Sequence, residues 1–589
     1  MVQQDEVGRR RAAVVAGDTA LGIELGSTRI KACLVDGDGT PLASGSHAWE
    51  NRFEDGTWTY PLDAVEAGLR ECYARLVADV EERYGVRPTT YGALGVSAMM
   101  HGYLAFDADG ELLVPFRTWR NTSTGPAAAE LTELLGHNVP LRWSVAHWYQ
   151  AILDAEPHAT RVASLTTLAG YVHRRLTGRH VLGVGDASGM FPVDPATRDY
   201  DHALLALVDE RAATHRAGPK LAELLPDVLV AGEDAGRLTA AGAAWLDPTG
   251  SLEPGVLLCP PEGDAGTGMV ATNAVAPRTG NVSAGTSIFA MVVLEGPLAA
   301  VHHELDLVTT PAGDLVAMVH CNNGASELEA WAGLLGELAA AVGSDAGPDD
   351  VFGALFRAAL DGDADGGGLL AYNYLAGEPI TGLDEGRPLV VRTPGSRLTL
   401  ANFARTQVYG AFGTLALGMR VLAREGVRID GMLAHGGMFR TAGVAQRLLA
   451  AAIGAPVSVG RTAGEGGAWG IAVLAAFARA CAGERAPGAD VGADLGDYLR
   501  DHVFAAAETV TVEPDPADVA GFAAYLERYA AGLAVERAAV TALPTRTGGE
   551  DPVERAAVTA LPTRTGGEDP VERAAVTALP TRTGGEDPA

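Results

Sequence analysis

Lysine is nearly absent from this chain: of 589 residues only Lys31 and Lys220 carry an ammonium group, and the other basic side chains are arginines. Basic residues number 44 against 74 acidic ones, a formal charge of −30. A nucleic acid requires a basic face and an anionic bilayer repels an acidic one, so neither partner is expected; the surplus is read as a solubility device. Cysteine is scarce too. Cys33, Cys72, Cys259, Cys321 and Cys481 form no CxxC pair and lack metal-ligand spacing, which leaves reduced thiols in a cytoplasmic protein as the expectation. No stretch approaches the ~18 apolar residues of a membrane span. The start, Arg9-Arg10-Arg11 before AAVVAG, has too short an apolar run for a signal peptide and is cut by Asp18. A GxGxxG fingerprint with a ribose-binding acid is also missing, which disfavours a dinucleotide-binding dehydrogenase.

The chain does have hydrophobic content, 47 %. Single cores stop growing near ~250–300 residues, so two domains are expected. The informative stretch is Val256 to Asn273, VLLCPPEGDAGTGMVATN, where an apolar strand breaks at Pro260-Pro261 into a Gly-rich loop carrying Asp264. Two Gly-Ser/Thr turns, Gly26-Ser27-Thr28 and Gly285-Thr286-Ser287, each follow one strand and precede another. Such a turn exposes N–H groups and hydroxyls that cradle phosphate oxygens, and equally serves as an ordinary hairpin. Its recurrence at the opening of each half suggests a phosphotransferase of paired domains.

Between the turns, helical spacing predicts a helix from Pro61 to Tyr84, followed by a buried strand GALGVSAMM that ends at Met100-His101. A histidine there is as readily structural as part of a site, although α/β folds place their sites at strand ends. Trp119 with Asn121 suits a sugar, through stacking and hydroxyl contacts, and Trp119 suits a core equally well. Gly185 to Gly189 reads as a loop. The pairs His302-His303 and His320-Cys321 have no partner at ligand spacing, so surface or core roles are expected of them. Further on, HGGM at 435–438 and EGGAWG at 465–470 put glycines at strand-to-helix turns, where a ligand can approach helix N–H groups or where glycine simply permits packing. The tail repeats VERAAVTALPTRTGGEDP three times without change, at 535–552, 553–570 and 571–588; identity of that kind points to a recent duplication, not to a functional solenoid.

In their order and spacing, LGIELGSTRIKACLVD, SAMMHGYLAFDADGELLVPFRTWRNT, PEGDAGTGMVATNAV, GNVSAGTSIFA, YLAGEPITGLDEGRP, HGGMFRTAGVAQRLLAAAIGAPVSV and EGGAWGIA resemble the FGGY family of carbohydrate kinases, within the actin-like ATPase superfamily. The resemblance implies an α/β fold of two actin-like, ribonuclease H-like ATPase domains flanking a cleft, plus the repetitive tail. The expected divisions are a flexible extension over 1–19, an N-terminal domain over 20–277 with the sugar site, a C-terminal domain over 278–530 with the nucleotide site, and the tail over 531–589. It implies ATP and Mg²⁺ as cofactors and a small sugar as the other partner, and it leaves a homodimer open. The implied reaction phosphorylates the terminal primary hydroxyl of a ketopentose, D-xylulose or L-ribulose. The alternatives are another ketose or polyol, or a non-catalytic, nucleotide-gated sugar-binding protein on the same scaffold.

Residue by residue, the resemblance makes Asp264 the general base. Gly26, Ser27, Thr28, Gly285, Thr286 and Ser287 would surround the ATP phosphates, with Gly436, Gly437 and Glu465 near the adenosine. Met100-His101 matches the Met-His pair of the xylulokinase-like branch, where polyol-specific relatives carry Arg-Glu; Trp119, Asn121 and Trp143 join it as sugar contacts. Glu24 and Asp264 are the implied Mg²⁺ carboxylates. Glu24 departs from the family's usual Asp by one methylene, and GEPITGLDEG lacks the family's common Arg.

Overall fold

The computed structural model describes residues 2–215, 218–460, 466–483 and 494–544. Residues 1–19, expected to be a loose extension, instead hold helix α1 (Val2–Ala16). The apolar end of that run explains it: Val14 is buried, and Arg11 donates to the carbonyl of Tyr84 at 3.3 Å. Strands β1 (Ala20–Leu25), β2 (Arg29–Val35) and β3 (Pro41–Ala48) form an antiparallel meander across the predicted turns. Helix α2 (Leu62–Tyr84) follows where helical spacing placed it. It leads to β4 (Ala93–Ala98), buried at every residue and parallel to β1. On the far edge of β4, β5 (Leu257–Leu258) pairs first; the ladder lapses at Pro260-Pro261, which lack N–H donors, and resumes as β6 (Glu262–Gly263). The Gly-rich loop expected around Asp264 is a helix, α3 (Asp264–Ala271).

The second half repeats these pairings. Strands β7 (Thr279–Ala284) and β8 (Ile288–Val293) form the second hairpin, and β9 (Asp306–Thr309) pairs with β10 (Leu315–Cys321), which pairs with β8. After the long helix α4 (Leu400–Arg424), β11 (Gly431–His435) lies parallel to β7 and β12 (Val457–Gly460) parallel to β11. Two α/β domains result, the first with three antiparallel strands and the second with four, each set continued by parallel strands.

Helix α5 (Gly466–Cys481) returns from the second sheet to cover the first. Glycine makes the approach possible: a Cβ on Gly22 would lie 2.1 Å from the Ala468 carbonyl, and one on Gly470 would lie 2.2 Å from that of Thr267 in α3. The sheet then closes with β13 (Thr509–Val512), and α6 (Pro516–Ala542) runs without a break into the first repeat copy. There Glu536 is buried against the backbone N–H of Arg387. Both sheets belong to one compact unit that ends at Ala542. The second and third repeat copies lie outside the described residues.

Candidate active site

Three parallel strands of the first sheet end side by side, with Leu25 paired to Ala98 and Ala98 to Gly263. The residues just beyond their carboxyl ends, Gly26–Thr28, Met99–His101 and Asp264, therefore share one edge, where open α/β sheets bind ligands. Asp264 opens α3, a position that favours an anion. Its Oδ1 accepts from the backbone N–H groups of Met100 and Ala265, both at 3.0 Å. Among the described residues the two bonds both fall on Oδ1. The residue is exposed at the strand ends, yet desolvation by the surrounding walls raises its pKa, and the backbone N–H groups of Met100, Ala265 and Asp264 itself oppose the rise.

The carbonyl groups of both turns are tied back from behind. In the first turn, Trp49 Nε1 donates to Gly26 O at 2.7 Å, the Tyr60 hydroxyl to Ser27 O at 2.6 Å, and the Trp49 N–H to Thr28 O at 3.1 Å. In the second, Ala325 N–H donates to Gly285 O at 2.8 Å, Gly324 N–H to Thr286 O at 2.7 Å, and Gly285 N–H to Ser287 O at 3.0 Å. Oxygens that would repel an anion are thereby committed elsewhere, while Ser27, Thr28 and Thr286 stand exposed. The second turn also abuts the Gly436 turn. At φ +107° a Cβ on Gly436 would lie 2.3 Å from the carbonyl of Ala284, so only glycine fits, and Gly437 beside it has open space where a Cβ would be. Glu465 lies outside the described residues.

Glu24 faces Lys31 across β1 and β2 and accepts from the N–H groups of Gly467 and Ala468 at the start of α5. Burial raises its pKa, Lys31 opposes the rise, and the nearby Asp264 adds to it. Among the described residues no three His, Cys, Asp or Glu side chains gather as a metal cluster. Mg²⁺ asks for less than that, one or two carboxylates beside its own waters and the phosphates, and the Glu24 and Asp264 carboxylates meet that requirement.

Met100 and His101 adjoin Asp264. His101 adopts φ +71°, a conformation non-glycine residues hold mainly where structure imposes it. Its Nδ1 lies 3.2 Å from the Gly189 carbonyl, which makes Nδ1 the donor and Nε2 the acceptor of a neutral ring. Burial, then the charge of Arg142, hold its pKa well below the usual value. Of the other expected sugar contacts, Trp119 is 37 % exposed. Asn121 is buried and spent on the backbone: it accepts from the Trp58 N–H at 2.9 Å and donates to the carbonyls of Trp58 and Thr118. Trp143 is wholly enclosed in a core cluster.

Two acids that sequence reasoning passed over lie behind Asp264. Asp186, on a short helix (Val184–Ala187) where a loop was expected, is fully buried; its Oδ2 accepts from the Thr167 hydroxyl at 2.6 Å and its Oδ1 has no partner among the described residues. The Glu262 carboxylate accepts from the Asp186 N–H at 3.0 Å. Burial and the charge of Asp264 push Asp186 up to about 7. The only signal was adjacency: Glu262 stands two residues before Asp264.

The FGGY family of carbohydrate kinases matches the chain twice, its N-terminal domain over residues 19–249 and its C-terminal domain over 280–479. A xylulose kinase of Streptomyces coelicolor is 28 % identical over 237 residues, 38 % of this chain and 44 % of that protein. Glycerol kinase 1 of Pseudomonas aeruginosa is 28 % identical over 206 residues, 32 % of this chain and 41 % of that protein. The chain thus spans less than half the length of these two relatives. Among solved structures, the xylulose kinase of Rhodospirillum rubrum superposes with a TM-score of 0.69 at 19 % identity, over 88 % of this chain and 98 % of the other. Among the described residues no helix is long and apolar enough to cross a membrane.

Proposed function

The chain belongs to the FGGY family of carbohydrate kinases, and from that premise we propose that it transfers the terminal phosphoryl group of ATP to the primary hydroxyl of a ketopentose, D-xylulose or L-ribulose. The observation that carries this reading is the Asp264 carboxylate, exposed at the shared strand ends beside the Gly26–Thr28 and Met99–His101 segments, with Oδ1 held by the N–H groups of Met100 and Ala265. Phosphoryl transfer asks a protein mainly for alignment, charge neutralisation and a proton acceptor. Asp264 Oδ2 takes the proton of the attacking hydroxyl. The exposed hydroxyls of Ser27, Thr28 and Thr286, with the N–H groups of the two turns other than those of Gly26 and Gly285, hold the phosphates, and the Gly436-Gly437 turn lies toward the adenosine. His101 Nε2 accepts from a sugar hydroxyl, and Trp119 supplies an apolar plate. Glu24 and Asp264 would hold Mg²⁺, which would supply charge neutralisation for the phosphoryl oxygens. This is a cytoplasmic enzyme in this reading.

The glycerol kinase relative keeps polyols in the test. A coupled ATP assay with D-xylulose, L-ribulose, other ketoses and glycerol should give sugar-dependent turnover with a ketopentose preferred. Preference for glycerol would move the assignment to polyols. Sugar binding without turnover on any of them would leave a nucleotide-gated binding protein in place of a kinase.

A further inference from the structure

Strands β8 and β10 pair Val293 with Val316, Met291 with Met318 and Phe289 with His320. Directly opposed residues of an antiparallel pair share a face, and alternate residues repeat it, so these three pairs form one row. The first two pairs are buried in a cluster shared with Met100 and Met269 of the first domain. The third, half-buried, ends the row. Its rings stack with centroids 4.2 Å apart and planes 8° from parallel, which fixes the imidazole. Phe289 stands two residues after Ser287 of the phosphate-facing turn, and the row belongs to the same buried cluster as Met100, whose N–H holds Asp264. The pair therefore sits between the donor turn and the acceptor side of the cleft.

His320 also has His101 and Arg142 of the first domain as electrostatic neighbours: a charge on His320 disfavours one on His101, and Arg142 disfavours one on either ring. Arg142 is itself engaged by Asp306. No described residue hydrogen-bonds to the His320 ring, and burial, then Arg142, bring its pKa down to about 3, so the ring stays neutral.

We propose that His320 is an acceptor-site residue that hydrogen-bonds a hydroxyl of the bound sugar from the second domain, so that the sugar site is complete only when both domains contribute. A neutral imidazole clamped by a stacked ring suits an uncharged polyhydroxy ligand, and discrimination follows because a misplaced hydroxyl leaves the ring nitrogen unpaired. This rests on the kinase reading above, since the sugar is what His320 would meet.

The test uses the full-length protein with His320→Phe, which keeps a flat ring on Phe289 and loses both nitrogens, and His320→Gln, which keeps hydrogen-bonding groups without the stack. Steady-state kinetics on the preferred sugar should give a KM for sugar raised about tenfold in His320→Phe, the loss expected for one hydrogen bond, with the KM for ATP within twofold and partial recovery in His320→Gln. A KM for sugar within twofold of wild type in both variants overturns the assignment, and so does a rise matched by an equal rise for ATP. Sugar binding followed by tryptophan fluorescence separates the two proposals. If wild type binds sugar without phosphorylating it, the kinase reading fails, and an unchanged Kd in His320→Phe is then what overturns the role of His320.

Discussion

At Asp264 the proposed reading gives the two carboxylate oxygens different tasks, and a single substitution separates them. Asp264→Asn keeps an acceptor for the Met100 and Ala265 N–H groups and removes the basic oxygen. General-base help is worth roughly 10²–10⁴ in rate, so kcat on the preferred sugar should fall by a factor in that range while the melting temperature stays near wild type. Turnover near wild type would take the role from Asp264. Asp186 behaves differently, because its carboxyl lies behind the site with Glu262, Asp264 and Tyr200 around it. Its folded-state pKa, about 7, exceeds the value of an unfolded aspartate, ~3.9. Protonated Asp186 therefore favours the fold below the unfolded pKa, and that contribution is lost as pH rises through about 7. Asp186→Asn carries no charge to desolvate, so its melting temperature relative to wild type should climb between about pH 5 and pH 8. A difference that stays flat over that span would mean Asp186 is not the titrating group.

The turns that face the cleft work as elements because their carbonyls are held from a distance in sequence. Gly26, Ser27 and Thr28 were legible as a candidate cradle from three letters. What would let the cradle accept an anion, the donors from Trp49 and Tyr60, was not legible, since those residues come from later segments and carry no periodic signal. For the same reason the setting of Asp264 was misread. Glycines at 263, 266 and 268 suggest a loop, yet Gly263 ends a strand and Gly266 and Gly268 lie inside α3, against which α5 packs through Gly470. Local glycine content was overridden by packing that only the assembled domains contain. Asn121 and Trp143 show the opposite error, chemically suitable side chains spent on backbone and core. The Gly436 turn gives the element-scale prediction. Gly436→Ala combines a disfavoured φ with a contact on the Ala284 carbonyl, immediately before the Gly285–Ser287 turn. It should destabilise the protein by roughly 1–3 kcal/mol and raise the KM for ATP well above any change in the KM for sugar. An unaltered KM for ATP would detach this turn from the nucleotide.

Across the whole molecule, the two sheets are fastened to each other along one side. Asn138 donates to the Leu305 carbonyl at 2.9 Å, Arg142 pairs with Asp306, and the Thr309 N–H donates to Ser188 Oγ at 3.0 Å while its hydroxyl donates to the Val184 carbonyl at 3.0 Å. The Ala231 N–H adds a bond to Pro311 O at 2.8 Å. All of these reach the β9–β10 hairpin and its flanks, and α5, which leaves the second sheet to cover the first, is a further connection, so a closing motion would have to keep both while it narrows the cleft. Closure has a chemical purpose: a dry site strengthens every electrostatic contact to the phosphates and keeps water from competing with the sugar hydroxyl. Sugar and nucleotide would each bind chiefly one domain, and His320 would give the sugar its grip on the other. Small-angle scattering should accordingly show the radius of gyration falling when sugar and a non-hydrolysable ATP analogue are both present, with a smaller change for either alone. Arg142→Ala, which unfastens one of these ties, should keep the response and lower its cooperativity between ligands. Identical scattering in all four mixtures would mean that the domains do not close, and water would then have to be excluded by the side chains of an already narrow cleft.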